Sequence, residues 1–177
     1  MSRKKLIAAG VATILIAVAA HFATIHYFPR VKMTAIINFF TSLQKGEGVK
    51  MIHAPPITAK ARRVVRPSPD LAYSNCAFDL KNGPVDIRVP VPAGYFSIAL
   101  YGDNTDNFFV LNDRDMNGQP AYVRVVRAGD GAPLPDDATI AISPSDRVVM
   151  LIRRKADTRA DWQLIRGERM QMSCRQS

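Results

Sequence analysis

The residues with the most evident chemistry lie in two polar stretches of a chain of 177 residues. Asp113-x-Asp115-x-Asn117-Gly118 matches the first half of an EF-hand calcium loop, including the glycine at position six. Position twelve of such a loop supplies a bidentate glutamate, and here it is Arg124, a cation. The same Asn117-Gly118 pair also suits a type I′ hairpin turn, in which both residues take positive φ. On that reading it pairs the strand at Phe108 with the strand at Tyr122, and no metal is expected. Asp103-Asn104-Thr105-Asp106-Asn107 adds oxygen ligands nearby, though Asp and Asn in such loops commonly bond their own backbone. His53 is the one histidine outside an apolar N-terminal stretch, so any Ser–His or Cys–His mechanism depends on it. No G-x-S-x-G, Walker A or G-x-G-x-x-G pattern occurs. No catalytic residues and no cofactor are assigned.

Cys76 and Cys174 stand near the start and the end of the globular part. In an oxidising compartment they could form one staple, which the chain-entropy model credits with about 4–5 kcal/mol at most. The alternative is two buried free thiols, as in many cytosolic proteins.

The elements that must position these residues follow from charge and hydropathy. The net charge is +9, and it is uneven. Residues 1–66 hold 11 Lys/Arg and one acid, Glu47, whereas residues 67–177 hold 13 Lys/Arg and 14 Asp/Glu. The globular part is nearly neutral, which argues against nucleic acid as a partner. The basic excess flanks Leu6 to Phe28, a run of 23 residues without Lys, Arg, Asp or Glu. As a helix the run would span roughly 34 Å, enough to cross a bilayer core. Ala17-Val18-Ala19 resembles a signal-peptidase site, but apolar character continues through Phe22, Ile25, Tyr27 and Phe28, favouring an uncleaved anchor. Arg3, Lys4 and Lys5 make the first residues the denser cation cluster. That favours a cytoplasmic N-terminus and a periplasmic C-terminal domain at the inner membrane.

Three regions are therefore expected. Residues 1–29 form the transmembrane anchor, and residues 30–69 a juxtamembrane helix and basic, Pro-rich arm. Residues 70–177 form the globular domain. In the arm, Lys60, Arg62, Arg63 and Arg66 are spaced among prolines that exclude regular structure.

From Leu71 onward short apolar runs alternate with turn residues, among them Pro92-Ala93-Gly94. Val85–Val89 alternates as a half-buried strand, while Phe108–Leu111 and Val148–Ile152 read as strands buried on both faces. Tyr95–Tyr101, Tyr122–Val126 and Ala138–Ile142 are further strands. The fold class is mainly β, a β-sandwich or jelly-roll-like domain after a single transmembrane helix. Trp162, Ile165, Arg169 and Met172 recur at helical spacing and suggest a short C-terminal helix closing one end, with Gly167 against it.

Blocks in order then carry a resemblance. His53-Ala54-Pro55-Pro56, Val65-Arg66-Pro67-Ser68-Pro69-Asp70-Leu71-Ala72-Tyr73-Ser74, Tyr95-Phe96-Ser97-Ile98, Asp103 to Phe109 and Asn112-Asp113-Arg114 resemble the domain-of-unknown-function 1254 family. The form is the short, membrane-anchored bacterial one. The resemblance implies a β-sandwich and carries no defined activity. Longer members continue into a domain of the domain-of-unknown-function 1214 type, so a separate chain of that type is the expected protein partner. The lipid bilayer is the other expected partner.

Two functions are weighed. The first is an envelope protein whose β-domain binds a partner or ligand, displaying an aromatic face with Tyr95, Phe96 or Tyr101. The alternative is an enzyme or metal-dependent site built on the acidic loops 103–117, where Asp70, Asp103, Asp106 or Asp113 meets Arg66 or His53. Arg66, Asp70, Tyr73, Asp103 and Asn107 are the candidate ligand-binding residues, because strand formation alone does not call for them.

Overall fold

The computed structural model describes residues 2–62, 66–92, 94–131 and 133–177. Arg63 of the basic arm, Val65 of the family-like block and Ala93 of the Pro92–Gly94 turn lie outside them.

Helix α1 runs unbroken from Arg3 to Leu43, with Pro29 inside it. It is long and apolar enough to cross a membrane. The helix continues past Phe28 and Pro29 into the juxtamembrane residues. The reason lies downstream, where Met33, Ile37 and Phe40 form a stripe at helical spacing and pack on Ala77, Val149 and Tyr101. That packing carries the helix past the proline, whose missing N–H would otherwise favour a stop. Gln44 caps the end and its buried amide donates to the Ala77 carbonyl at 2.8 Å. Lys45, Gly46 and Gly48 then turn the chain away with positive φ.

Two sheets follow, built from β1 (Ile52–His53), β2 (Leu71–Asp79), β3 (Val85–Val89), β4 (Phe96–Gly102), β5 (Asn107–Asn112), β6 (Ala121–Arg127), β7 (Thr139–Ser143), β8 (Arg147–Lys155) and β9 (Ser173–Gln176). The first sheet has the order β1-β2-β8-β4-β5 and the second β7-β6-β3-β9. β7 runs parallel to β6, so the second sheet is mixed, where a jelly roll is antiparallel throughout. Alternate residues of each strand face inward. Phe96, Ile98, Leu100, Val148, Met150 and Ile152 of the first sheet meet Val85, Ile87, Val89, Val123 and Val125 of the second in one core.

Cys76 of β2 and Cys174 of β9 join as a disulfide, with sulfurs 2.12 Å apart, and so tie one sheet to the other. Helix α2 (Arg159–Gln171) begins with a capping box between Thr158 and Asp161. It tolerates Gly167 because Ile165 packs on Ala72 and Ala156 while Met172, just beyond it, joins the core.

Two local expectations change. Asn117 and Gly118 do take positive φ, 50° and 74°. They link β5 to β6 across the two sheets instead of closing a hairpin, since β5 pairs with β4 and β6 lies in the second sheet. Phe108–Leu111 is not buried on both faces, because β5 is a sheet edge and its side chains are half-buried or exposed.

A candidate binding face on the first sheet

β2 and β4 both pair antiparallel with β8 and therefore run in the same direction. Asp70, just before β2, lies at the Lys155 end of β8, and Asp103, just after β4, at the Arg147 end. Nine residues of β8 separate these ends by roughly 25 Å. The candidate residues Arg66, Asp70 and Tyr73 thus do not meet Asp103 and Asn107.

Each has a local role in the structure, Arg66 excepted, which is exposed in the arm. The Asp70 carbonyl accepts from Ala156 N at 2.8 Å. Tyr73 Oη accepts from Ser68 N at 2.9 Å and fastens the arm. Asp103 N donates to the Arg147 carbonyl at 3.0 Å. The Asn107 amide faces the carbonyls of Leu100 and Phe109 at 3.1 and 3.0 Å, so its nitrogen is assigned to that side as donor, across the bulge where β4 and β5 change register.

The acidic loops are likewise occupied by their own backbone. Asn104 Oδ1 accepts from Asp106 N at 3.1 Å, and an Asp115 carboxylate oxygen accepts from Asn112 N at 3.0 Å. Arg124, at the twelfth position of the EF-like motif, turns away to Asp86. Among the described residues no group of three His, Cys, Asp or Glu could hold a metal.

His53 does find a serine. Its Nδ1 lies 2.8 Å from Ser74 Oγ. Ser74 is only 2% exposed, and its oxygen accepts from Arg169 Nε at 3.3 Å. The serine proton is therefore left for the imidazole, which must be neutral to accept it. Burial, and then the Arg169 charge, push the His53 pKa down to about 4, in agreement. Arg169 Nη2 also donates to the Ala54 and Tyr73 carbonyls, both at 2.7 Å. A nucleophilic triad needs an accessible hydroxyl and an acidic orienter, whereas this node has a buried hydroxyl and a cation. Its chemistry is structural: it fastens β1, β2 and α2 together at the Lys155 end.

The outer face of the first sheet behaves differently. Tyr95, Ser97, Ala99 and Tyr101 alternate along β4 and point the same way, with large side chains at the ends and small ones between. Arg153 and Asn112 flank Ser97, and Val110 flanks Ala99. The small central residues leave a trough of about 380 Å³, lined also by Asn107, Asp113 and Arg114. Tyr95 is 44% exposed and Val110 54%. Tyr101 forms the floor at one end and packs beneath α1, and its hydroxyl accepts from Arg153 Nη2 at 3.3 Å.

The expected aromatic face is thus made of Tyr95 and Tyr101. Phe96 points inward and is fully buried, because it has the opposite strand parity. Ser97, Ala99, Val110, Asn112 and Arg153 were not singled out from sequence. The alternation Tyr95-x-Ser97-x-Ala99-x-Tyr101 was the signal that could have found the β4 members.

Comparison with solved structures finds a similar architecture. The VPA0106 protein from Vibrio parahaemolyticus is similar over 62% of this chain and 28% of its own, with a TM-score of 0.58 at 14% identity. An uncharacterized protein from Burkholderia cenocepacia is similar over 88% of this chain and 41% of its own, with a TM-score of 0.49 at 13% identity. The chain therefore spans less than half the length of either, and the first likeness shows the fold alone. No curated protein matches. A family model covers residues 49–176, from just before β1 through β9, and by that match the chain belongs to the family described as protein of unknown function DUF1254.

Proposed function

We propose that this protein is an inner-membrane-anchored binding module of the bacterial envelope, with α1 as its single span and the β-domain on the periplasmic side. It holds a protein partner in the trough of the first sheet. The observation that carries this reading is the open, tyrosine-ended trough beside the point where α1 is seated. Its lining of Tyr, Arg, Asn and Ser is the composition of protein-recognition surfaces, where aromatic rings and arginine dominate the energetics. Its openness suits a protein segment better than a small substrate, which is usually enclosed. The 23-residue uncharged run supports the anchor, and the Cys76–Cys174 disulfide supports an oxidising compartment.

The test is site-specific photocrosslinking in living cells, with a benzophenone side chain at Val110, 54% exposed at the trough, or at Arg88 on the second sheet. The reading expects a discrete adduct from Val110 and none from Arg88. Equal yields, or none from either, would reject it. A chain of the domain-of-unknown-function 1214 type is the first partner to test against any adduct. C-terminal fusion to alkaline phosphatase checks the orientation, and an inactive fusion would place the domain on the wrong side.

A further inference from the structure

The trough is bounded by a sheet edge that lacks the usual protection. Exposed edges are commonly blunted by charge, proline or brevity. β1 has two residues and is followed closely by Pro55-Pro56, β9 carries Arg175, and β7 runs into Pro144. β5 reads Asn-Phe-Phe-Val-Leu-Asn, six residues with no charge and no proline. Only its ends are protected among the described residues, by the bulge near Asn107 and by the Asp115 carboxylate on the Asn112 N–H.

The hydrogen-bond phase of β5 follows from its register. Asp113 N donates to the Phe96 carbonyl at 3.2 Å. Bonded pairs recur every second residue in an antiparallel ladder, so Leu111 and Phe109 direct their backbone groups at β4. Val110 and Asn112 direct theirs outward. The Asn112 N–H is already taken by the Asp115 carboxylate. Val110 is left at mid-strand with its N–H and C=O toward the open side and its side chain over the trough. Arg114 lies at the Tyr95 end of the trough, and Arg153 reaches along it to donate to Tyr101 Oη at 3.3 Å; neither forms an ion pair among the described residues.

We infer that β5 is a strand-addition edge: an extended segment of a partner protein pairs with the Val110 backbone, sets alternate side chains between Tyr95 and Tyr101, and places a carboxylate at Arg114. The inference rests on the partner-binding reading of the trough and names the partner's conformation and charge. Main-chain pairing supplies the affinity of such additions, and the alternate side chains supply the selectivity.

The probe is a phage-displayed library of random peptides, selected on the full chain in detergent, with the selected peptides measured by fluorescence anisotropy. Strand addition predicts that backbone N-methylation weakens binding about tenfold at every second peptide position and little between, as loss of single hydrogen bonds does. It also predicts acidic residues toward one peptide end and weaker binding to Arg114→Glu and Val110→Pro. N-methylation changes only the peptide, so the result stands even where Val110→Pro does not fold. Insensitivity to N-methylation, with binding lost in Tyr95→Ala, overturns strand addition and leaves the trough reading intact. No selected peptide, or binding unaffected by Tyr95→Ala, overturns both. Self-association of the chain through β5, seen as a Val110→Cys disulfide dimer, overturns the inference in favour of a second copy.

Discussion

The outer faces of the two sheets are built from similar residue types and end in opposite states. On the second sheet Asp86 accepts from Arg124 Nε and Nη2, both at 2.8 Å, from Tyr122 Oη at 3.1 Å and from Ser177 Oγ at 2.7 Å. The Arg88 guanidinium lies 3.7 Å from the centre of the Tyr122 ring. Tyrosine and arginine there satisfy one another around a single carboxylate. On the first sheet Tyr95 Oη donates to Ser97 Oγ at 3.4 Å and Tyr101 Oη accepts from Arg153 at 3.3 Å, but among the described residues no carboxylate pairs with Arg153. The difference comes from strand register. Arg124 stands directly opposite Asp86, while the position opposite Arg153 on β4 is Ser97. One face closes around a carboxylate, and the other leaves its arginine without one among the described residues.

The largest effect should come from removing what both faces share. Replacing Cys76 and Cys174 together by serine should cost about 2–5 kcal/mol, read as a lower urea midpoint, since the bond closes a long loop and joins the sheets. A midpoint unchanged from that of the parent would mean that packing alone fixes the two faces.

Next comes Arg169→Ala, which strips donors from two carbonyls and from buried Ser74, at an expected cost of about 2–3 kcal/mol. The same node gives a pH signature. His53 has a folded pKa of about 4 against 6.5 when unfolded, so the unfolded chain takes up the proton first. Stability should be full above about pH 6.5, fall as the pH drops toward 4, and lose nothing further from this group below that. A His53→Gln variant should flatten that segment of the curve in chemical denaturation across the pH range.

Asp86→Asn should cost about 1–2 kcal/mol by weakening a charge-assisted network. The Arg124 hydrogen bonds hold the Asp86 pKa at about 2 against 3.8, so its contribution is present above pH 4 and is lost as pH falls toward 2. Its partial exposure keeps the contribution modest. Photocrosslinking from the trough should be untouched by this variant, which separates the two faces. Tyr95→Ala should change stability least, by about 0.5–1 kcal/mol because the residue lies at the surface, 44% exposed, yet abolish the trough adduct. Loss of the adduct in Asp86→Asn and its persistence in Tyr95→Ala would reverse the assignment.

Much of this architecture was legible in the sequence. The alternation of Val85–Val89 and the apolar run at Val148–Ile152 are observed strands, and the Trp162–Met172 spacing does mark the C-terminal helix. What escaped depended on distant partners. Asn117 and Gly118 adopt the conformation their types dictate, but whether such a turn closes a hairpin or crosses between sheets is decided by packing elsewhere. How far the helix runs past Pro29 follows from the seat of Ile37 on Ala77 and Val149, far along the chain. Arg66, Asp70, Tyr73, Asp103 and Asn107 lie in neighbouring family-like blocks, yet the parallel run of β2 and β4 carries them to opposite ends. The trough was half visible. Tyr95 and Tyr101 stand out by type, whereas Ser97 and Ala99 matter by being small, which no motif announces.

Hydroxyl-radical footprinting of Tyr95 and Tyr122 in native membranes and in purified, detergent-solubilised protein tests the central claim most directly. Occupancy of the trough in the cell predicts that Tyr95 is protected in membranes and labelled after purification, while Tyr122 labels equally in both. Equal labelling of Tyr95 in the two preparations, or protection confined to Tyr122, would contradict it.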